Sequence, residues 1–183
     1  GTFGDIGILS FNGNKIITTG VGGAIITNNK KLFLTSKHLT TTSKIKHKWE
    51  FIHNEIGYNY RLANINASLG LSQIDRLENL ILKKKYLLIK FKRLIKDSKE
   101  IEILDQPKKC RSNFWLHTLI LKKIFKTNKN KMLKKFHKNK ILARPIWRPL
   151  HKLSFLKKYP KMSLKNAEII ENKIINIPSS YYL

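Results

Sequence analysis

The sequence predicts an α/β fold, and three observations predict it. Short β-branched runs bounded by Gly and Asn turns open the chain. A long stretch of helical apolar spacing follows in the middle. A strand, helix, strand, helix alternation then runs to the end.

Ile6 to Phe11 reads as a short buried strand, and Asn12-Gly13-Asn14-Lys15 is turn chemistry. Ile16 to Thr19 reads as extended, Gly20-Val21-Gly22-Gly23 as a flexible corner, and Ala24 to Thr27 as a second strand stopped by Asn28-Asn29. Lys15 is therefore expected on a loop with sheet on both sides, a rigid mount of the kind a catalytic group needs. Lys30 to Ser36 opens a helix, Thr40 to Trp49 reads as polar, basic loop, and Gly57 to Arg61 as an aromatic and polar loop. Asn64 is placed to cap the helix that follows. Apolar residues then recur at Ile65, Leu69, Ile74, Leu77, Leu80, Ile81, Leu87, Leu88, Phe91 and Ile95, which predicts one long helix or two with a break near Glu78-Asn79. Beyond Asp105-Gln106-Pro107, Phe114 to Leu121 reads as a strand and Asn128 to Asn139 as a basic amphipathic helix. Ile141 to Trp147 reads as a strand ended by Pro149, and Ser163 as the cap of a helix through Ile174. An extended tail is expected from Ile177-Pro178. The expected division is between residues 1–82, part of a larger domain, and 83–183, a small α/β domain.

With 183 residues and 42% hydrophobic side chains, the chain can pack a core and is not of disordered composition. No apolar run reaches the roughly 18 residues of a membrane-spanning helix, and no secretory leader is read in Gly1 to Gly23. One cysteine, Cys110, excludes an internal disulfide framework and reads as an incidental thiol. A cytoplasmic location fits this composition. Gly1-Thr2-Phe3-Gly4-Asp5 reads like the interior of a protein, so further chain is expected upstream.

The net charge of +26 raises nucleic acid or an anionic membrane as partners. Yet only six of the 37 basic residues are Arg, the residue suited to bidentate base and phosphate contacts. The lysines are scattered, from Lys30-Lys31 through Lys83 to Lys85 and Lys122-Lys123 to Lys157-Lys158, without interleaved aromatics to stack bases. Lys, Ile and Asn all have A/T-rich codons, so codon drift is the preferred reading and a polyanion surface the alternative. Nucleic acid and membrane are accordingly not expected as partners, and no metal site is assigned.

The segment from Ser10 to Gly23 joins a hydroxyl, a lysine and a glycine cluster on a strand–loop–strand frame. Pyridoxal phosphate requires such parts: an amine for its aldehyde, donors around its phosphate, and close backbone approach, which glycine permits. Read alone, Lys15 is an ordinary surface cation, Ser10 a strand serine, Asn59 a turn former and Arg61 a surface charge.

Four segments in order change that balance. Gly4-Asp5-Ile6-Gly7 leads into the Ser10–Gly23 segment; Gly57-Tyr58-Asn59-Tyr60-Arg61-Leu62 is followed by Asn64-Ile65-Asn66-Ala67 and Leu69-Gly70-Leu71-Ser72-Gln73; Ala143 to His151 comes later. Together they resemble the DegT/DnrJ/EryC1/StrS sugar aminotransferases over nearly the whole chain. The Asn-Gly-Asn-Lys form, with Ile175-Asn176-Ile177-Pro178-Ser179-Ser180, leans toward the subgroup that makes 4-amino sugars for legionaminic acid or bacillosamine.

The resemblance implies the carboxy-terminal part of a type I pyridoxal-phosphate aminotransferase fold: the end of a large-domain sheet, a long connecting helix and a small α/β domain. It implies transfer of an amino group, from a donor such as glutamate, to a keto group of a nucleotide-linked sugar, for cell-surface polysaccharide or glycan precursors. Lys15 would bond the cofactor aldehyde and then serve as acid and base. Ser10 would bind the cofactor phosphate, and Asn59 the phosphate of the neighbouring copy in a homodimer. Arg61, Trp147 and His151 are candidates for the substrate side, with packing preferred for Trp147 and His151. Two departures stand out. Val21 occupies the glycine corner, where a β-branched residue resists positive φ. The family's amino-terminal half, with its acid for the pyridine nitrogen, is absent from this sequence, so the chain alone is expected to be a poor enzyme or inactive. The alternatives are a non-catalytic remnant, a subunit needing a separate amino-terminal half, or a basic polyanion-binding module.

Overall fold

The computed structural model describes residues 3–122, 126–180 and 182. Gly1 and Thr2 of the opening segment, and Lys123 of one basic run, lie outside them. The chain divides into two compact units, Gly1–Glu78 and Asn79–Leu183.

In the first unit, β1 (Gly7–Ser10) pairs antiparallel with β2 (Gly23–Ile26), Gly7 facing Ile26 and Ser10 facing Gly23. Helix α1 (Lys30–Thr40) is capped by Asn29, whose side chain accepts from the Lys31 and Leu32 amides at 2.9 and 3.2 Å. Where a loop was expected, β3 (Lys44–Ile45) and β4 (Ile52–His53) form a two-residue ladder, Ile45 opposite Ile52. A ladder that short carries no period-2 pattern to read. Helix α2 (Asn64–Ile74) corrects the expected cap: Ala63 is the N-cap, extended at φ −67° and ψ 148°, and Asn64 already belongs to the helix. The break in the long apolar stretch comes at Asp75-Arg76, before α3 (Leu77–Leu94), rather than near Glu78-Asn79. Ile74 and Leu77 keep helical spacing across it, so periodicity does not register the interruption.

Among the described residues, every buried apolar side chain belongs to the second unit. In the first, the buried polar residues are Thr19 and Ser43, while Ile8, Val21, Phe33 and Phe51 are exposed. Hydrogen bonds, not a core, hold its elements to one another.

The second unit contains β5 (Ile101–Ile103), β6 (His117–Leu121), β7 (Arg144–Pro145) and β8 (Ile174–Ile177) in one sheet of order β5-β6-β8-β7. Every neighbouring pair is antiparallel, with Leu119 between Ile103 and Ile175. The inner strand β8 ends at Ile177, where the extended tail is expected to begin, and residues 178–180 carry no strand. The helix expected through Ile174 is α5 (Lys165–Glu171), with Leu164 rather than Ser163 at its N-cap. Ile169, Ile170 and Ile174 mimic continued helical spacing, but the β-branched Ile174–Ile177 run finds partners on two sides and becomes strand. Only Arg144–Pro145 of the expected Ile141–Trp147 strand pairs. Leu119, Leu121, Ile103, Ile175 and Ile177 form the core with Leu88 of α3, Phe114 and Ala143. Met132, Leu133 and Phe136 of α4 (Lys126–Lys138) cover it in part.

Two buried polar groups lie in this unit. Lys84 is 5% exposed, and its amine donates to the Ser179 carbonyl. The Ser179 hydroxyl in turn donates to the Trp115 carbonyl at 3.0 Å, so the end of the chain is tied down twice. His117 is 1% exposed and meets Phe91 edge-on at 5.7 Å, with no hydrogen bond to either ring nitrogen. Burial, and then the charge of Lys84, lower its pKa to about 4 against a weaker opposing pull from the Lys84 backbone.

Two predictions follow from this packing. Ile175, fully buried on the inner strand, should cost about 2–5 kcal/mol of unfolding free energy when changed to Ala, measured by denaturant titration. His117 binds its proton more weakly folded than unfolded, so below the unfolded value of 6.5 the unfolded state gains protons first. Stability should therefore fall as pH drops from 6.5 toward about 4, and His117→Phe should flatten that slope.

Candidate active site

The loop between β1 and β2 carries Lys15, and the chain braces it from within. The Phe11 amide donates to the Gly22 carbonyl and the Thr19 amide to the Phe11 carbonyl, each at 3.0 Å, extending the hairpin inward. The Lys15 amide donates to Asn12 O at 2.9 Å, closing a turn over Gly13-Asn14. The Asn12 amide donates to Ser10 Oγ at 3.4 Å, at the loop mouth. Lys15 is half-buried, and Ser10 is exposed at the end of β1.

The expected extended stretch Ile16–Thr19 is not a strand. Apart from the Thr19 amide, the peptide groups of Thr18 and Thr19 go to side chains instead. Thr18 Oγ1 donates to Phe11 O at 2.9 Å and accepts from the Gly20 amide at 2.8 Å. From α2, Gln73 Oε1 accepts from the Thr18 amide at 3.1 Å, while Gln73 Nε2 donates to Thr18 O at 2.8 Å. Asn66 Nδ2 donates to Thr19 O at 2.6 Å. The sequence reading gives Asn66 and Gln73 no role. The signal they offer is two amides at helical spacing on α2.

The distortion expected at Val21 does not fall on Val21. Positive φ is taken by the glycines on either side, 80° at Gly20 and 103° at Gly22. The Val21 side chain is exposed, and its carbonyl accepts from Thr19 Oγ1. A Cβ at Gly22 would also lie 2.8 Å from Leu62 Cδ1.

Asn59 sits on a segment sewn to the end of α1. Thr41 bridges Asn59, the Thr42 amide donates to Tyr58 O at 3.0 Å, and the Tyr60 amide donates to Thr40 O at 2.9 Å. Tyr58 and Tyr60 stack at 5.4 Å, leaving the Asn59 side chain exposed between them in sequence. Arg61 is exposed and, with Lys37, Val21, Ile25, Leu62 and Asn66, walls a mostly apolar cavity of about 670 Å³. Lys15, Ser10 and Asn59 are not among its walls, so this cavity is not where the loop lysine lies.

Trp147 and His151 belong to the second unit. Trp147 is 64% exposed and stacks on Trp115 at 5.9 Å. His151 Nε2 lies 2.9 Å from Glu168 Oε1, a contact that holds the Glu168 carboxyl below its usual pKa. The histidine is thus engaged in a hydrogen bond with a carboxylate of its own unit.

The donor set on the first unit fits pyridoxal phosphate: an amine for the aldehyde at Lys15, with a hydroxyl at Ser10 and an amide at Asn59 for a phosphate. Among the described residues no group of three or more His, Cys, Asp or Glu is placed to hold a metal ion, and no helix is long and apolar enough to cross a membrane.

The family model of the DegT/DnrJ/EryC1/StrS aminotransferase family matches residues 1–183. The chain belongs to this family. Pyridoxal phosphate is the cofactor of the DegT/DnrJ/EryC1/StrS aminotransferases. Among similar proteins, GDP-perosamine synthase of Escherichia coli O157:H7 is 32% identical over 98% of this chain and 48% of its own length. UDP-4-amino-4,6-dideoxy-N-acetyl-beta-L-altrosamine transaminase of Helicobacter pylori is 30% identical over 97% of this chain and 48% of its own. The solved structure of Helicobacter pylori PseC, an aminotransferase involved in the biosynthesis of pseudoaminic acid, superposes with a TM-score of 0.92 at 29% identity, over 99% of this chain and 49% of that one. The chain spans about half the length of the curated relatives it matches. The match reaches the fold of both units, the α/β class expected from the sequence.

The glycine corner offers a direct check. Gly22→Ala should strain the backbone at positive φ by about 1–3 kcal/mol and press on Leu62. Hydrogen exchange at the Phe11 amide, which pairs with Gly22 O, should quicken.

Proposed function

We propose that this chain carries the lysine-bearing part of an aminotransferase that moves an amino group onto the keto group, at carbon 4, of a nucleotide-linked sugar. The reading is carried by Lys15 on a braced hairpin loop with the Ser10 hydroxyl at its mouth, in a chain matched from end to end by the family. The relatives' names support the sugar class: one is a GDP-perosamine synthase and another a UDP-4-amino-4,6-dideoxy sugar transaminase. The Asn-Gly-Asn-Lys form of the loop is the ground on which we lean to a 4-amino sugar of the kind found in legionaminic acid or bacillosamine.

Pyridoxal phosphate, when bound, supplies the electron sink for the amino transfer. The chain's own residues do the rest. Lys15 Nζ would hold the cofactor at its aldehyde and, as a free amine, would serve as the base and acid that moves the proton. Ser10 Oγ donates to the cofactor phosphate. Asn59 Nδ2 donates to the phosphate held by a neighbouring copy, which makes a homodimer the working form. The Arg61 guanidinium meets anionic charge of the nucleotide, while Trp147 and His151 serve packing, through Trp115 and Glu168. Residues 1–82 form the cofactor-binding part and 83–183 the small domain. Glutamate is the amino donor we assign, the product feeds cell-surface polysaccharide, and the cytoplasm, where activated sugars are made, is the location. The +26 charge then steers an anionic substrate rather than nucleic acid or membrane.

Borohydride reduction with pyridoxal phosphate, followed by peptide mapping, should label Lys15 in the intact protein. Labels spread over many lysines would favour a polyanion surface. Lys15→Ala should abolish both the cofactor absorbance and amine transfer from glutamate to a UDP- or GDP-linked 4-keto sugar.

A further inference from the structure

We infer that Gln73 is a positioning residue for Lys15, acting through the Thr18-Thr19 backbone, with Asn66 and Gly70 completing the same cradle on α2. The inference rests on the reading of Lys15 as the cofactor lysine.

Asn66, Gly70 and Gln73 stand at i, i+4 and i+7, on one face of α2. All three address the same two residues of the loop. Gln73 presents its primary amide as a peptide edge would, accepting from Thr18 N–H at 3.1 Å and donating to Thr18 O at 2.8 Å. Its Nε2 also donates to Leu69 O at 2.6 Å, which fixes the amide to its own helix. Asn66 takes the next carbonyl, Thr19 O, at 2.6 Å. Gly70 lets the loop approach: a Cβ there would lie 2.7 Å from Thr19 Cγ2, and Thr19 is 3% exposed.

The clamp is needed because the loop is soft in itself. Gly13, Gly20 and Gly22 each widen the backbone choices of a segment outside any strand. On the Lys15 side the bonds from Lys15 N to Asn12 O and from Asn12 N to Ser10 Oγ are short-range. A long-range anchor stands three residues on, at Thr18, where a primary amide meets both a donor and an acceptor. A carboxylate cannot replace it, since one oxygen would then face the Thr18 and Leu69 carbonyls. A thioether offers neither group.

The test uses the intact protein with Gln73→Met, and Ser72→Ala as a control on the same helix. Hydrogen exchange at the Thr18 amide, measured without cofactor, should rise roughly tenfold in Gln73→Met, since two hydrogen bonds to that peptide are lost. The dissociation constant for pyridoxal phosphate should rise by a similar factor, and the pH midpoint of the cofactor–lysine absorbance band should move. Ser72→Ala should leave all three unchanged. Unchanged Thr18 exchange in Gln73→Met overturns the clamp, and faster exchange with unchanged affinity and pH midpoint overturns the positioning role. If Gln73→Met does not fold, Asn66→Ala carries the same test with a smaller shift, read at the same amide, and no shift there overturns the inference. Lys15→Ala that kept the absorbance band would sink the underlying cofactor reading instead, while Thr18 exchange would still report on the clamp.

Discussion

The loop that carries Lys15 takes its shape from a residue, Thr18, whose backbone N–H and C=O have no strand to pair with. Thr18 lies beyond the β1–β2 ladder, and its N–H and C=O would face water or go unpaired but for the amide of Gln73. Much of the first unit follows from that substitution of side chain for sheet. The hairpin can open into a long loop without fraying, and α2 is drawn against the loop at a glycine. The glycines flanking Val21 can take up the turn because Thr18 and Thr19 are already fixed.

The two units solve the same problem with different means. The second has an apolar core, with Ile175 and Leu119 at its centre and α3 and α4 contributing Leu88 and Phe136. The first relies on directed bonds: the Asn29 cap, the crossings at Thr42 and Tyr58, and the Gln73 and Asn66 amides. Directed bonds define atomic positions more sharply than burial does, which suits the proposed role of a unit that presents an amine, a hydroxyl and an amide.

What was legible in the sequence divides along the same line. The hairpin, α1, the paired middle helices and the basic α4 are visible because each depends on local spacing and turn residues. The Ile174–Ile177 strand was misjudged because its identity depends on β6 and β7, residues remote in sequence. Ser163 and Asn64 have cap chemistry, but each sits one position away from the residue that takes the cap. Lys15, Ser10 and Asn59 are singled out by ordered motifs. Gln73 lies in one of those motifs, but its contact is not legible there, because its partner is 55 positions away and a glutamine on a helix reads as solvated surface.

The uneven distribution of buried apolar surface has a thermal consequence. Heat capacity on unfolding comes mainly from newly wetted apolar groups. The second unit, with its packed isoleucines and leucines, has much such surface to expose and so a strongly curved dependence of stability on temperature. The first, whose Ile8, Val21 and Phe33 already meet solvent, has little. Its stability should vary almost linearly with temperature, so that warming and cooling shift the relative order of the two halves of one chain.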